Sequence, residues 1–167
     1  STLVHLDTVE ARIGNRNIVN SAGAVGVTVS ATSTEDIIAL TAAGGAASSA
    51  GIAVAPTINV LNETTTASVG RSATVNAQNG GVPGASNLSV LASDDTTIVS
   101  VAGSVGVGGT AGVAAGADVL SLIKHTNAYI DSGVTSHVDG DIDVSATNTE
   151  GITSVAAGIA VGGTAGV

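Results

Sequence analysis

The stretch Val99-Ser100-Val101-Ala102-Gly103-Ser104-Val105-Gly106-Val107, continuing as Gly108-Gly109-Thr110-Ala111-Gly112-Val113-Ala114-Ala115-Gly116-Ala117-Asp118-Val119, decides the fold class. Its odd positions are Val, Ala or Gly, and its even positions are small and mostly polar or neutral. A period of two held over this distance puts the valines on one face of an extended chain and the small residues on the other. Helix is a poor competitor, because the same residues scatter around a 3.6-residue turn and each Gly costs a helix about 1 kcal/mol. The parity returns further on, with Val155, Ala157, Ile159, Val161, Ala165 and Val167 set against Ser154, Ala156, Gly158, Ala160, Gly162 and Thr164.

Self-comparison shows that this return is a repeat. The segment from Val90 to Val113 recurs 54 positions later, from Val144 to Val167, without a gap. A more diverged copy lies 61 positions upstream, where Val29 matches Val90, Ile37 matches Ile98, Ala50-Gly51 matches Ala111-Gly112, and Thr65 and Ala67 match Thr126 and Ala128. The register slips around Gln78-Asn79-Gly80-Gly81-Val82-Pro83-Gly84, a Gly/Pro/Asn composition that marks a surface loop. The repeat units are 1–28 (partial), 29–89, 90–143 and 144–167 (partial), and the chain is expected to be a piece of something longer. Internal periods of this length mean stacked units. The expected fold is therefore all-β, a parallel β-helix-like solenoid built from 54–61-residue repeats. Because strands usually run 3 to 10 residues, turns are expected at Gly108-Gly109, Gly116-Ala117-Asp118, Asp131-Ser132-Gly133 and Asp139-Gly140-Asp141, and each repeat is expected to form two or three coils about 4.8 Å apart.

Composition narrows the function. The 167 residues include no Cys, Met, Trp or Phe and a single aromatic residue, Tyr129, so thiol chemistry, a disulfide scaffold and a core of large side chains are all excluded. Thirteen acidic against four basic residues give a formal charge of −9, the wrong sign for binding nucleic acid or an anionic membrane. Uncharged runs at 37–62, 96–117 and 151–167 are diluted by Gly, Ser and Thr, which argues against membrane insertion of this segment.

The cadence Ile142-Asp143-Val144-Ser145-Ala146-Thr147, Ser154-Val155-Ala156, Val161-Gly162-Gly163-Thr164-Ala165-Gly166-Val167 and Thr126-Asn127-Ala128-Tyr129-Ile130-Asp131-Ser132-Gly133 resembles the repeat region of large bacterial surface adhesins, whether filamentous-haemagglutinin-like, leukotoxin-like or autotransporter passengers. The resemblance implies a secreted or surface-displayed β-solenoid with a role in adhesion or assembly. The partners it implies are identical copies or adjacent repeats, together with surface glycans or proteins of a host or neighbouring cell.

Chemistry-bearing residues are sparse. His5, His125 and His137 do not recur at one repeat position and are expected as surface residues. Asp94-Asp95 aligns with Ser33-Thr34 and Asn148-Thr149, a substitution set typical of turns. Asp139, Asp141 and Asp143 stand at alternate positions and offer oxygen ligands of the kind calcium takes, but the preceding unit has no carboxylate there, so a solvated turn is favoured. Asn62-Glu63-Thr64 and Asn87-Leu88-Ser89 fit the glycosylation acceptor pattern. Thr64-Thr65-Thr66 and Thr96-Thr97 would suit an ice-binding face only if they stacked on one flat side. No catalytic residue, cofactor or metal is expected.

The residues expected to carry function are the small ones: Ser100, Ala102, Ser104, Gly106, Gly108, Thr110, Gly112, Gly158, Gly162 and Thr164. They are read as an outward face of the Val-rich strands, nearly free of charge, that packs against another sheet of the same chain or of a neighbouring copy. The function expected is a structural and adhesive segment of an extracellular fibre. The alternative is a solenoid that binds calcium, glycan or ice.

Overall fold

The computed structural model describes residues 1–22, 26–78 and 86–167, and all regular structure among them is β. Ten strands follow in chain order: β1 (Thr2–Ile13), β2 (Ile18–Ala22), β3 (Val27–Ala47), β4 (Ala50–Val69), β5 (Thr74–Gln78), β6 (Leu88–Gly108), β7 (Ala111–Ile130), β8 (Thr135–Val138), β9 (Ile142–Gly162) and β10 (Ala165–Gly166). They build three parallel sheets, A (β1-β4-β7-β10), B (β2-β5-β8) and C (β3-β6-β9), so the chain visits A, B and C in turn and then repeats. This is a parallel β-solenoid. No described helix is long and apolar enough to cross a membrane.

The sequence repeat is the ladder register. Val29 pairs with Val90 and Ile37 with Ile98 on sheet C, and Ala50 pairs with Ala111, Thr65 with Thr126 and Ala67 with Ala128 on sheet A. One repeat is therefore one full coil, not the two or three expected. The strands of sheets A and C are far longer than the 3 to 10 residues assumed, since β4 and β7 have 20 residues and β3, β6 and β9 have 21. Each is paired with a parallel neighbour along its whole length, β6 with one on each side, and small inward side chains remove the bulk that would otherwise force a bend. Consequently Gly116-Ala117-Asp118 lies inside β7 and is no turn. Bends or turns do fall at Gly109-Thr110, at Ser132-Gly133 and at Asp139-Gly140.

The turns themselves stack. Thr110 N–H donates to Ser49 O at 2.9 Å and Thr164 N–H to Thr110 O at 3.0 Å where sheet C passes into A. Where A passes into B, Arg16 N–H donates to Arg71 O at 2.9 Å and Ser72 N–H to Ser132 O at 3.1 Å. The last corner needs a left-handed residue in every coil, filled by Arg16 (φ 58), Ser72 (φ 56) and Gly133 (φ 72). Glycine takes this conformation freely, whereas other residues lose roughly 1–2 kcal/mol in it. Gly133→Ala is accordingly expected to cost about 1 kcal/mol, read as a lower urea midpoint at unchanged slope; an unchanged midpoint would show that the corner is not strained.

Length varies at one place only. The separation between paired residues is 56 for Ala22 and Gln78 but 61 for Val27 and Leu88. It is 61 for Ala77 and Val138 but 54 for Leu88 and Ile142. Both changes fall between sheets B and C. Apart from Gln78, the Gly/Pro/Asn stretch read as a surface loop lies here, outside the described residues.

The cross-section is a wedge. At its wide end, closed by sheet B, Val29, Ala31, Ala67, Val69, Ala73, Val75, Leu88, Val90 and Ala92 form the apolar core. Burying each Val or Leu there contributes about 1.5–3 kcal/mol. At the thin end, sheets A and C meet through Gly, Ala and Ser.

Candidate functional site

The burial alternation along β6 runs without a break from Leu88 to Gly108, with every even-numbered residue buried. Ser100, Ala102, Ser104, Gly106 and Gly108 therefore point into the wedge, as do Gly112 on β7 and, by its pairing with Ser104, Gly158 on β9. This corrects the outward orientation read from the sequence: the small face is the interior seam between sheets A and C, and the valines face out. The physical reason lies in the glycines. A Cβ on Gly106 would fall well inside 3.0 Å of Val113 O, and one on Gly112 would crowd Val161 O in the same way. A Cβ on Gly116 would lie 2.6 Å from Ala102 O, and one on Gly158 2.6 Å from Ala114 O. Two backbones this close are nearer than the usual sheet spacing of about 10 Å, and a valine face cannot reach that distance. Gly108 and Gly162 end their strands beside the turn, facing Ala111 O and Ala165 O. Thr110 and Thr164 are exposed turn residues and belong to neither face.

Between the glycine seam and the apolar core lies a polar layer that the sequence reading did not anticipate. Lys124 projects inward from β7, its side chain 4% exposed, and its Nζ lies 2.8 Å from Asp94 Oδ1 and 3.7 Å from Glu63 Oε2. The ammonium donates to Thr96 Oγ1 at 2.8 Å, and the Thr96 hydroxyl donates to Glu63 Oε2 at 2.7 Å. Thr65 Oγ1 donates to Asp94 Oδ2 at 3.2 Å. Glu63 and Lys124 are direct ladder partners, so a cation is stacked on an anion within the sheet. Nearer the seam, Asp118 accepts from Ser100 Oγ at 2.8 Å and from Ser154 Oγ, and Asn59 Nδ2 donates to Ser100 Oγ at 3.2 Å.

Several sequence expectations change with this geometry. Asp94 is no turn residue: it and Asp95 stand inside β6, one facing in and the other out, and their alignment with Ser33-Thr34 and Asn148-Thr149 is the observed ladder. Thr65 and Thr96 are wholly buried, so neither threonine run forms a flat outer face. His5 stands on the edge strand β1 with its side chain 34% exposed, and its Nε2 lies 3.4 Å from Glu35 Oε2. His125 is exposed on β7, and His137 Nδ1 lies 3.1 Å from Asn76 Oδ1 on sheet B. Asn76 Nδ2 in turn donates to Asn20 Oδ1 at 2.7 Å, an amide ladder along that sheet. Asp139 lies in the bend before β9, Asp141 N–H donates to Asn87 Oδ1 at 2.9 Å, and Asp143 is already in the strand. No group of three or more acidic, His or Cys side chains able to hold a metal is found among the described residues.

The outer faces of the wedge carry what the interior rejects. On sheet C, Ile38 and Leu40 of β3 and Val105 and Val107 of β6 are exposed, as are Val155, Ile159 and Val161 of β9. On sheet A, Ile52, Val54, Ile58, Val113, Val119 and Ile123 are exposed in the same way. Parallel sheets are ordinarily covered on both faces, and here one face of each is open.

Comparison with protein-family models, with curated proteins and with solved structures finds no match.

Proposed function

We propose that this chain is a structural and adhesive segment of a large extracellular bacterial surface protein, in which successive repeats build a stiff solenoid. One observation carries the reading: every repeat is one coil, and its ladders run in register through all three sheets from each coil to the next. In such an array length is linear in sequence, each coil adding about 4.8 Å. The interior supports the same role, because Gly seams, buried ion pairs and stacked turns all fix one coil on its neighbour. The cadence shared with bacterial adhesin repeats agrees with it. The small residues contribute as an internal seam and not as a surface that meets other copies.

Pulling the chain from its two ends in a force spectrometer tests this role. Coils are expected to detach one at a time, each releasing 54 to 61 residues and so about 20 nm of extended chain. Extension without discrete steps would remove the load-bearing role. In parallel, beads coated with the chain should adhere to glycan-bearing surfaces; no adhesion would reduce the proposal to a spacer.

A further inference from the structure

We propose that the corner where sheet A turns into sheet B binds a glycan that ends in a carboxylated sugar, a sialic or uronic acid. This site deepens the adhesive role above and rests on it.

Cations are scarce in this chain and unevenly placed. Of the four, Lys124 is buried in the polar layer, and the other three, Arg12, Arg16 and Arg71, are exposed at this one corner. Glu10 and Asp131 are the carboxylates beside them, so the corner is positive in a chain of net charge −9. Glu10 Oε1 lies 3.6 Å from Arg12 Nε, and Asp131 Oδ1 accepts from the Ser132 N–H at 2.6 Å. Neither Arg16 nor Arg71 makes an ion pair or hydrogen bond through its side chain among the described residues.

The backbone pins these two arginines together. Arg16 N–H donates to Arg71 O at 2.9 Å, and Arg71 N–H donates to Asn15 Oδ1 at 3.1 Å. Like charges side by side on neighbouring strands are destabilising. A carboxylate shared between two guanidinium groups removes that cost, because each presents a planar fork of donors. Arg16 also stands in the left-handed region at φ 58, where Gly133 stands two coils on. Glycine fills such a place without strain, and an arginine held there is strain of the kind that collects at ligand-binding positions.

The chain's only aromatic residue shares the corner. On the outer face of sheet A, Arg12, Ser68 and Tyr129 form one column, and Glu10, Thr66 and Asn127 the next. They face out because their strand neighbours Ala11, Ile13, Ala67, Val69, Ala128 and Ile130 pack in the core. Arg12 and Tyr129 are two coil rises apart, about 10 Å, the span of a disaccharide. The half-exposed Tyr129 ring offers an apolar face to the C–H side of a pyranose and a hydroxyl at its rim. Exposed amides of Asn17 and Asn127 flank it. Arginines alone would suit any anion; the ring beside them selects a sugar. The acidic remainder of the molecule repels polyanions, so a single carboxylate per ligand is the chemistry that fits.

Tyr129 fluorescence, the chain's single aromatic signal, follows the test. The intact chain is titrated with 3′-sialyllactose, a β-glucuronosyl disaccharide, lactose and hexa-aspartate, alongside Arg16→Gly and Arg71→Gln. The expected result is saturable binding of one or both acidic sugars, weakened by salt, absent for lactose, and about tenfold or more weaker in each variant. Which acidic sugar binds tells sialate from uronate. Arg16→Gly, whose backbone suits φ 58, should melt at or above the parent, so its loss of binding is not a loss of fold. Should it fail to fold, Arg71→Gln gives the same reading from an exposed position. Lactose binding as strongly as sialyllactose, or acidic-sugar binding that survives both substitutions, overturns the site. Hexa-aspartate binding in place of the sugars assigns the corner to acidic peptides and overturns it equally. Parent-coated beads that adhere to glycan surfaces without inhibition by either acidic sugar leave the adhesive role standing and remove this site; neither adhesion nor binding removes both.

Discussion

Lys124→Met is expected to lower the unfolding free energy by about 3–5 kcal/mol, the cost of leaving buried charge without its partner. Among the described residues the ammonium is the only cation within reach of Asp94 and Glu63, both buried, and it is the donor that lets Thr96 turn its own hydroxyl toward Glu63. Its loss leaves two carboxylates facing each other across the wedge. Neutralising them as well, in Lys124→Met/Glu63→Gln/Asp94→Asn, should recover most of the loss, because amides keep acceptors for Thr96 and Thr65 and carry no charge to desolvate. Urea denaturation of the two variants checks the pair of expectations. A single variant as stable as the parent would mean that the layer is hydrated and the ion pairs contribute little.

Gly106→Val should be more disruptive than any outward substitution nearby. The new side chain would occupy the position of Val113 O and of the ladder behind it, so sheets A and C must separate over several residues. Overpacking costs about 1–3 kcal/mol where a core can yield, and here the obstacle is backbone on a 20-residue ladder, which places the loss at or above about 3 kcal/mol. Val105→Thr, one residue away but facing out, should stay within about 0.5 kcal/mol. Thermal melts of the two variants decide which face is interior. If Val105→Thr were the damaging change and Gly106→Val the mild one, the valines would be the core after all.

That comparison also marks how far the sequence can be read. Alternation from Val99 to Val119 identified strands, and the matches of Val29 with Val90 and of Val90 with Val144 are ladder partners. Alternation alone says which residues share a face, not which face is inside. Assigning the valines inward followed the usual preference for apolar burial and inverted the wedge. The corrective signal was present in the same parity, since Leu88, Val90 and Ile98 lie on the face of Gly106, at the end where the wedge widens. Asp94 was misplaced for a related reason. Its equivalents Ser33 and Asn148 are good turn residues, but Ser33 is itself buried within a strand, its hydroxyl donating to Asp7 Oδ2 at 3.4 Å. The pairing of Lys124 with Asp94 joins residues 30 positions apart on facing sheets, and no local pattern announces it.

The single vertical seam where coil length varies has an evolutionary meaning. Between sheets B and C, the separation of paired residues rises from 56 to 61 in one coil and falls from 61 to 54 in the next, and the strands on either side keep their partners. A single deletion inside β6 would instead turn every later side chain of that strand inside out, carrying Val105 into the seam and Gly106 into water. Insertions and deletions are thereby channelled to one edge of the column, where diversity between coils can accumulate while the rest of each coil is held to a fixed count.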